Sequence, residues 1–157
     1  MGMSQAGWIV PIAAAANRRV AFMALWSGPV CRVSDELLFG VASQANIAAE
    51  NAAHAREGSP TQNIDAIRTY AAQIRTDGTD VDPRDSLREL DIPGLWLFGG
   101  RDNEIPTEQS VRQLAELIAK GKPNFEQQTL PEAGHAMLDT FEKAYRITID
   151  WIRAHAA

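Results

Sequence analysis

Unbroken apolar runs closed by turn formers alternate along this chain with apolar positions at helical spacing. Val20-Ala21-Phe22-Met23-Ala24-Leu25-Trp26 ends in Ser27-Gly28-Pro29, the pattern of a strand buried on both faces of a parallel sheet. Pro93-Gly94-Leu95-Trp96-Leu97-Phe98, closed by Gly99-Gly100, reads the same way. Phe125-Glu126-Gln127-Gln128-Thr129-Leu130 is more polar and suits a strand at a sheet edge. Between them, Trp8, Ile12 and Ala15 mark one helical stripe and Val111, Leu114 and Ile118 a second. Phe141, Tyr145, Ile149 and Ile152 mark a third. Thr107, with Ser110 beyond Pro106, is the expected N-cap of the middle helix. Strands alternating with helices predict an α/β fold on a short, mostly parallel sheet.

Residues 34–80 break this alternation. Leu37, Leu38, Val41, Ala45, Ala48 and Ala52 form one amphipathic stripe, and Ile64, Ile67, Ala71 and Ile74 another. Gly58-Ser59-Pro60 parts them and Thr76-Asp77-Gly78-Thr79-Asp80 closes the segment. This is a helical insertion between two strands, and its pattern suits either core-packing helices or a lid over a pocket. The expected organisation is a single domain, 1–157, carrying the insertion at 34–80.

Composition narrows the class. With 157 residues, 45% hydrophobic and 22% charged, the chain is of ordinary globular composition and can bury a sizeable core. The apolar stretches Trp8–Ala16 and Val20–Trp26 fall short of the roughly 20 residues of a membrane span. A net charge of −5 without a basic block disfavours a nucleic-acid partner. One cysteine, Cys31, excludes an internal disulfide and suits a reducing compartment. No secretory signal pattern follows Met1, so a cytoplasmic location is expected. The three histidines and Cys31 lack ligand spacing, so neither a metal nor another cofactor is expected.

Three loci carry candidate chemistry. Gly2-Met3-Ser4-Gln5-Ala6-Gly7 places small residues two before and two after a serine, as a sharp strand-to-helix turn demands. Such a turn lifts the hydroxyl out of the sheet and points the Gln5 amide at the oxygen of an attacked carbonyl. Taken alone, Ser4 would equally suit an ordinary helix N-cap. Gly99-Gly100-Arg101-Asp102-Asn103-Glu104-Ile105-Pro106 puts an acid beyond a strand end, where α/β proteins bind ligands. Glu104 is the fallback acid. Leu130-Pro131-Glu132-Ala133-Gly134-His135-Ala136-Met137-Leu138 sets a histidine beyond the next strand. In chain order these are Ser, Asp and His, the order of the α/β-hydrolase triad. Cys31 reads as a small core residue, and His54 and His155 as surface residues. Trp8, Trp26 and Met137 lie near the motifs and suit either an acyl pocket or core packing.

These motifs in register closely resemble the nucleophile elbow, acid loop and histidine loop of α/β-hydrolase serine esterases. The resemblance runs over essentially the whole chain. It implies a three-layer α/β-hydrolase-like fold, with Ser4 as nucleophile, His135 as general base and then acid, and Asp102 orienting the imidazole. It implies Gln5 as one oxyanion-hole donor and segment 34–80 as the family's variable cap. Ala6 departs from the motif's second glycine. The strands that precede the elbow in that family have no counterpart, nor does the loop that gives the second oxyanion amide, so the expected fold is truncated. Loss of one such donor costs about 10²–10³ in turnover.

The expected function is hydrolysis of short-chain carboxylic esters through an acyl-enzyme. The alternatives are a weak or inactive half-hydrolase serving as a self-associating or binding module, and one half of a split enzyme. The run 20–26, lacking a neighbour on one side, is expected to be an open sheet edge covered in a homodimer or higher homo-oligomer.

Overall fold

The computed structural model describes residues 1–51 and 64–155, with side chains described outside 44–63. His54, Gly58-Ser59-Pro60 and the later alanines of the first insertion stripe fall outside that description. Four parallel strands form one sheet in the order β1 (Gly2–Met3), β2 (Met23–Trp26), β3 (Gly94–Gly99) and β4 (Phe125–Leu130). Met23 lies opposite Gly94, and Gly94 opposite Phe125. All residues of β2 and β3 are buried, as expected of a parallel sheet covered on both faces.

Alternating side chains feed two cores, which makes three layers. Met23, Leu25, Trp96 and Phe98 point to the face covered by α1 (Ala6–Ala16), α4 (Pro83–Glu89) and α5 (Thr107–Ala119). Trp26, Leu95 and Leu97 point to the other face, against Ala144 and Trp151 of α6 (Phe141–His155). The insertion supplies α2 (Val33–Asn51) and α3 (Ile64–Asp77), packed on each other. Gly78, with φ of 72°, ends α3 at the predicted break. Helix α4, entered through Asp82 as N-cap with Pro83 behind it, is too short for its apolar positions to show a helical periodicity. Among the described residues no helix is long and apolar enough to cross a membrane.

The expected open edge on 20–26 is corrected here. The strand starts at Met23, and β1 pairs with its far end, Gly2 opposite Leu25 and Met3 opposite Trp26. The outer strand is therefore β1, and β2 is interior with every residue buried.

Two helix stripes are also rotated from their predicted positions. In α1 the buried face is Gly7, Trp8, Pro11 and Ala14, while Ile12 is 45% exposed. A Cβ on Gly7 would stand 2.5 Å from the Pro29 backbone, so close backbone approach, not apolar bulk, decides which face turns inward. In α6 the buried face is Ala144, Thr148 and Trp151, while Phe141 and Tyr145 are half-exposed. Thr148 is drawn inside because its Oγ1 accepts from Trp26 Nε1 at 2.8 Å. The expected Thr107 N-cap is likewise replaced: Pro106 occupies that position, with no side-chain cap bond.

Candidate active site

The loci converge because all lie at the carboxyl ends of adjacent parallel strands. Ser4 closes β1 and opens onto α1 with φ of 56°, a left-handed backbone that costs a non-glycine residue about 1–2 kcal/mol. Ser4 N–H donates to Trp26 O at 3.0 Å, and Gly7 N–H donates to Ser4 O at 2.8 Å. The flanking residues meet across the turn: a Cβ on Gly2 would lie 2.4 Å from the Ala6 Cβ. One flank must lack a side chain, and Gly2 does. The other can therefore carry a methyl, which is why Ala6 is tolerated. The Gln5 and Ala6 amides head α1, where helical geometry supplies no intrahelical acceptor.

The histidine reaches the serine side by crossing the sheet end. From β4 the chain passes over β3 so closely that a Cβ on Gly99 would lie 2.7 Å from Ala133 O and Gly134 O, and one on Gly100 2.7 Å from Pro131 O. Arg101 N–H donates to Ala133 O at 2.8 Å. The loop then arrives just beyond the end of β2, where the buried Ser27 hydroxyl donates to His135 O at 2.8 Å. Ser4 and His135 are thus fixed to consecutive residues, Trp26 and Ser27. Ser27 (φ of 46°) and Met137 (φ of 54°) are, with Ser4, the left-handed non-glycine residues among those described. All three mark the path joining the loci, and backbone strain collects at such sites.

Asp102 and His135 form a sheltered pair. His135 Nδ1 lies 2.9 Å from Oδ2 and 3.1 Å from Oδ1 of Asp102, whose side chain has no exposed surface. Asp102 Oδ1 also accepts from the Glu104 and Ile105 amides at 2.9 and 3.2 Å. Burial raises the Asp102 carboxyl, but the His135 and backbone hydrogen bonds outweigh it and hold the carboxyl below its usual range. The bond to Asp102 raises the His135 imidazole against the opposing effect of burial, and Glu104 and Glu36 add to the rise. Among the described residues Ser4 Oγ makes no hydrogen bond to His135. Nε2 instead faces Glu104 Oε2 at 3.6 Å.

The remaining candidates fall elsewhere. Trp8 Nε1 donates to Cys31 O at 2.8 Å, locking α1 to the segment after β2. Trp26 and Met137 pack together in the core beneath α6. All three side chains are buried. Cys31 is buried, and burial pushes its thiol up to about 12, so it is not a nucleophile at neutral pH. His155 stacks on Trp151 with ring centroids 4.4 Å apart. Two contributors escaped sequence reasoning. Ser27 falls among the turn formers that close the apolar run, and a serine ending a buried strand is the signal available for it. Glu36, in the first turn of α2, leaves no such trace, because only the fold brings its charge near His135 and Glu104. Among the described residues no group of three or more His, Cys, Asp or Glu side chains is arranged to hold a metal ion.

Comparison with known proteins agrees with this architecture. An esterase of Pyrococcus furiosus superposes with a TM-score of 0.66 at 14% identity, covering 99% of this chain and 54% of that one. An acylaminoacyl peptidase of Pyrococcus horikoshii superposes with a TM-score of 0.60 at 13% identity, covering 98% of this chain and 23% of that one. At such identities the likeness is one of fold, and the chain spans about half the length of the esterase. The search of curated proteins returned no match. The sequence model of the prolyl oligopeptidase family matches residues 1–157. The chain belongs to the prolyl oligopeptidase family, with an α/β-hydrolase-like fold.

Proposed function

We propose that the chain is a serine hydrolase that cleaves short-chain carboxylic esters through an acyl-enzyme. The observation that carries this reading is the tethering of Ser4 and His135 to consecutive residues, Trp26 at the end of β2 and Ser27 just beyond it, with Asp102 on the far nitrogen of the imidazole. A serine hydroxyl is a weak nucleophile at neutral pH and needs an adjacent base. His135 takes that proton at Nε2, while Asp102 on Nδ1 fixes the tautomer and stabilises the imidazolium. The oxyanion that forms meets the Gln5 amide at the head of α1, where the helix dipole also favours negative charge. His135 then returns its proton to the leaving alcohol, and water repeats the sequence on the acyl-enzyme. Helices α2 and α3 act as a cap beside this site.

The test is hydrolysis of p-nitrophenyl acetate and butyrate beside Ser4→Ala. Activity abolished by the substitution supports the reading, and equal rates from both proteins defeat it. A second reading, cleavage of acylated peptides by the same residues, follows from the family's name and from the peptidase among the structural neighbours. An acyl-peptide substrate in the same assay separates the two.

A further inference from the structure

We propose that Glu104 is a positioning residue for His135, a second carboxylate on the ring nitrogen that serves Ser4, where it governs protonation of the general base. The inference rests on His135 being that base. The imidazole is clamped between carboxylates: Asp102 lies 2.9 Å from Nδ1 and Glu104 3.6 Å from Nε2. Once Nδ1–H is donated to Asp102, a neutral ring turns the Nε2 lone pair toward the Glu104 carboxylate, which is repulsive. A protonated ring turns an N–H toward it, which is attractive. Glu104 therefore favours the imidazolium, the form that cannot accept a proton from Ser4. After proton transfer the same carboxylate stabilises the cation that catalysis creates.

The charged groups facing the ring are Asp102 and Glu104 from the β3–α5 loop and Glu36 from α2. Their contributions differ. Asp102 is sheltered and hydrogen-bonded, so its role is permanent. Glu36 is partly withdrawn from solvent, and burial lifts its carboxyl above the ordinary range. Glu104 is 66% exposed and held beyond hydrogen-bond length, so its pull is electrostatic and weakened by salt. That makes it removable without touching the core.

The experiment is a pair of titrations on the whole chain, native and Glu104→Gln. NMR follows the ring protons of His135, assignable because the sequence holds three histidines. The pH profile of kcat/KM is measured alongside. In Glu104→Gln, His135 should titrate at lower pH and the acid limb of the profile should move with it. Activity at pH 6, relative to the plateau, should rise about two- to fivefold, the size expected of an exposed ion pair. High salt should shrink the difference between the proteins. An unchanged His135 titration overturns the proposal. Because NMR reads the histidine without any substrate, a chain that hydrolyses nothing would defeat the functional reading and leave this one decided by the titration alone.

Discussion

At Ser27 two demands conflict. Its left-handed backbone favours glycine, yet its hydroxyl holds the His135 carbonyl at 2.8 Å in a fully buried position. Ser27→Gly and Ser27→Ala both remove the hydroxyl, and only glycine relieves the strain. Denaturant unfolding should find the glycine variant more stable than the alanine one by about 1 kcal/mol. Both should lose roughly ten- to a hundredfold in kcat, because the histidine loop loses its anchor. Equal activity with native protein would remove Ser27 from the positioning path. At the Asp102–His135 pair, the histidine's contribution to stability and the activity have opposite dependences on pH. The lowered Asp102 carboxyl contributes stability above its unfolded value and loses it as pH falls through the folded one. The raised imidazole contributes below its unfolded value and loses it as pH rises through the folded one. Hydrolysis needs the neutral ring, so kcat/KM should rise with pH through the raised His135 value, as the histidine's share of stability fades. Asp102→Asn should lower kcat by about 10⁴, since the ring would then hold the wrong tautomer. Ser4, Asp102 and His135 were legible as candidates because each follows a strand end, in the chain order of the α/β-hydrolase triad. Glu104 was legible only as an alternative to Asp102. Which nitrogen each carboxylate faces depends on the crossing of the histidine loop, which no local pattern encodes.

The elements were legible where apolar residues run unbroken and ambiguous where helices meet the sheet. β4 falls where its pattern placed it, while β2 begins three residues late because Val20, Ala21 and Phe22 lack strand partners. The stripes of α1 and α6 misled because hydrophobic spacing says which residues could be buried, not which face the backbone permits. Gly7 against Pro29 settles α1, and Thr148 beneath the Trp26 indole settles α6. Gly7→Ala therefore should destabilise by about 1–3 kcal/mol in denaturant unfolding, since its Cβ meets backbone that cannot step aside. Gly40, with nothing within 4 Å of a built Cβ, should accept alanine and gain slightly from helix propensity.

The chain spans about half the length of the esterase it superposes on, and its outer strand β1 is only two residues long. Met1, Met3, Ile9 and Ile12 are exposed along the β1–α1 side. We propose that a second copy of the chain covers this side, so sedimentation at micromolar concentration should find a species larger than the monomer. A monodisperse monomer would refute self-association while leaving the site's chemistry intact. That chemistry is tested most directly by labelling the native protein with a fluorophosphonate and mapping the adduct by mass spectrometry, beside His135→Ala. A covalent adduct on Ser4 that His135→Ala abolishes is the predicted result. No adduct, or one on another residue, would contradict the assignment of Ser4 as an activated nucleophile.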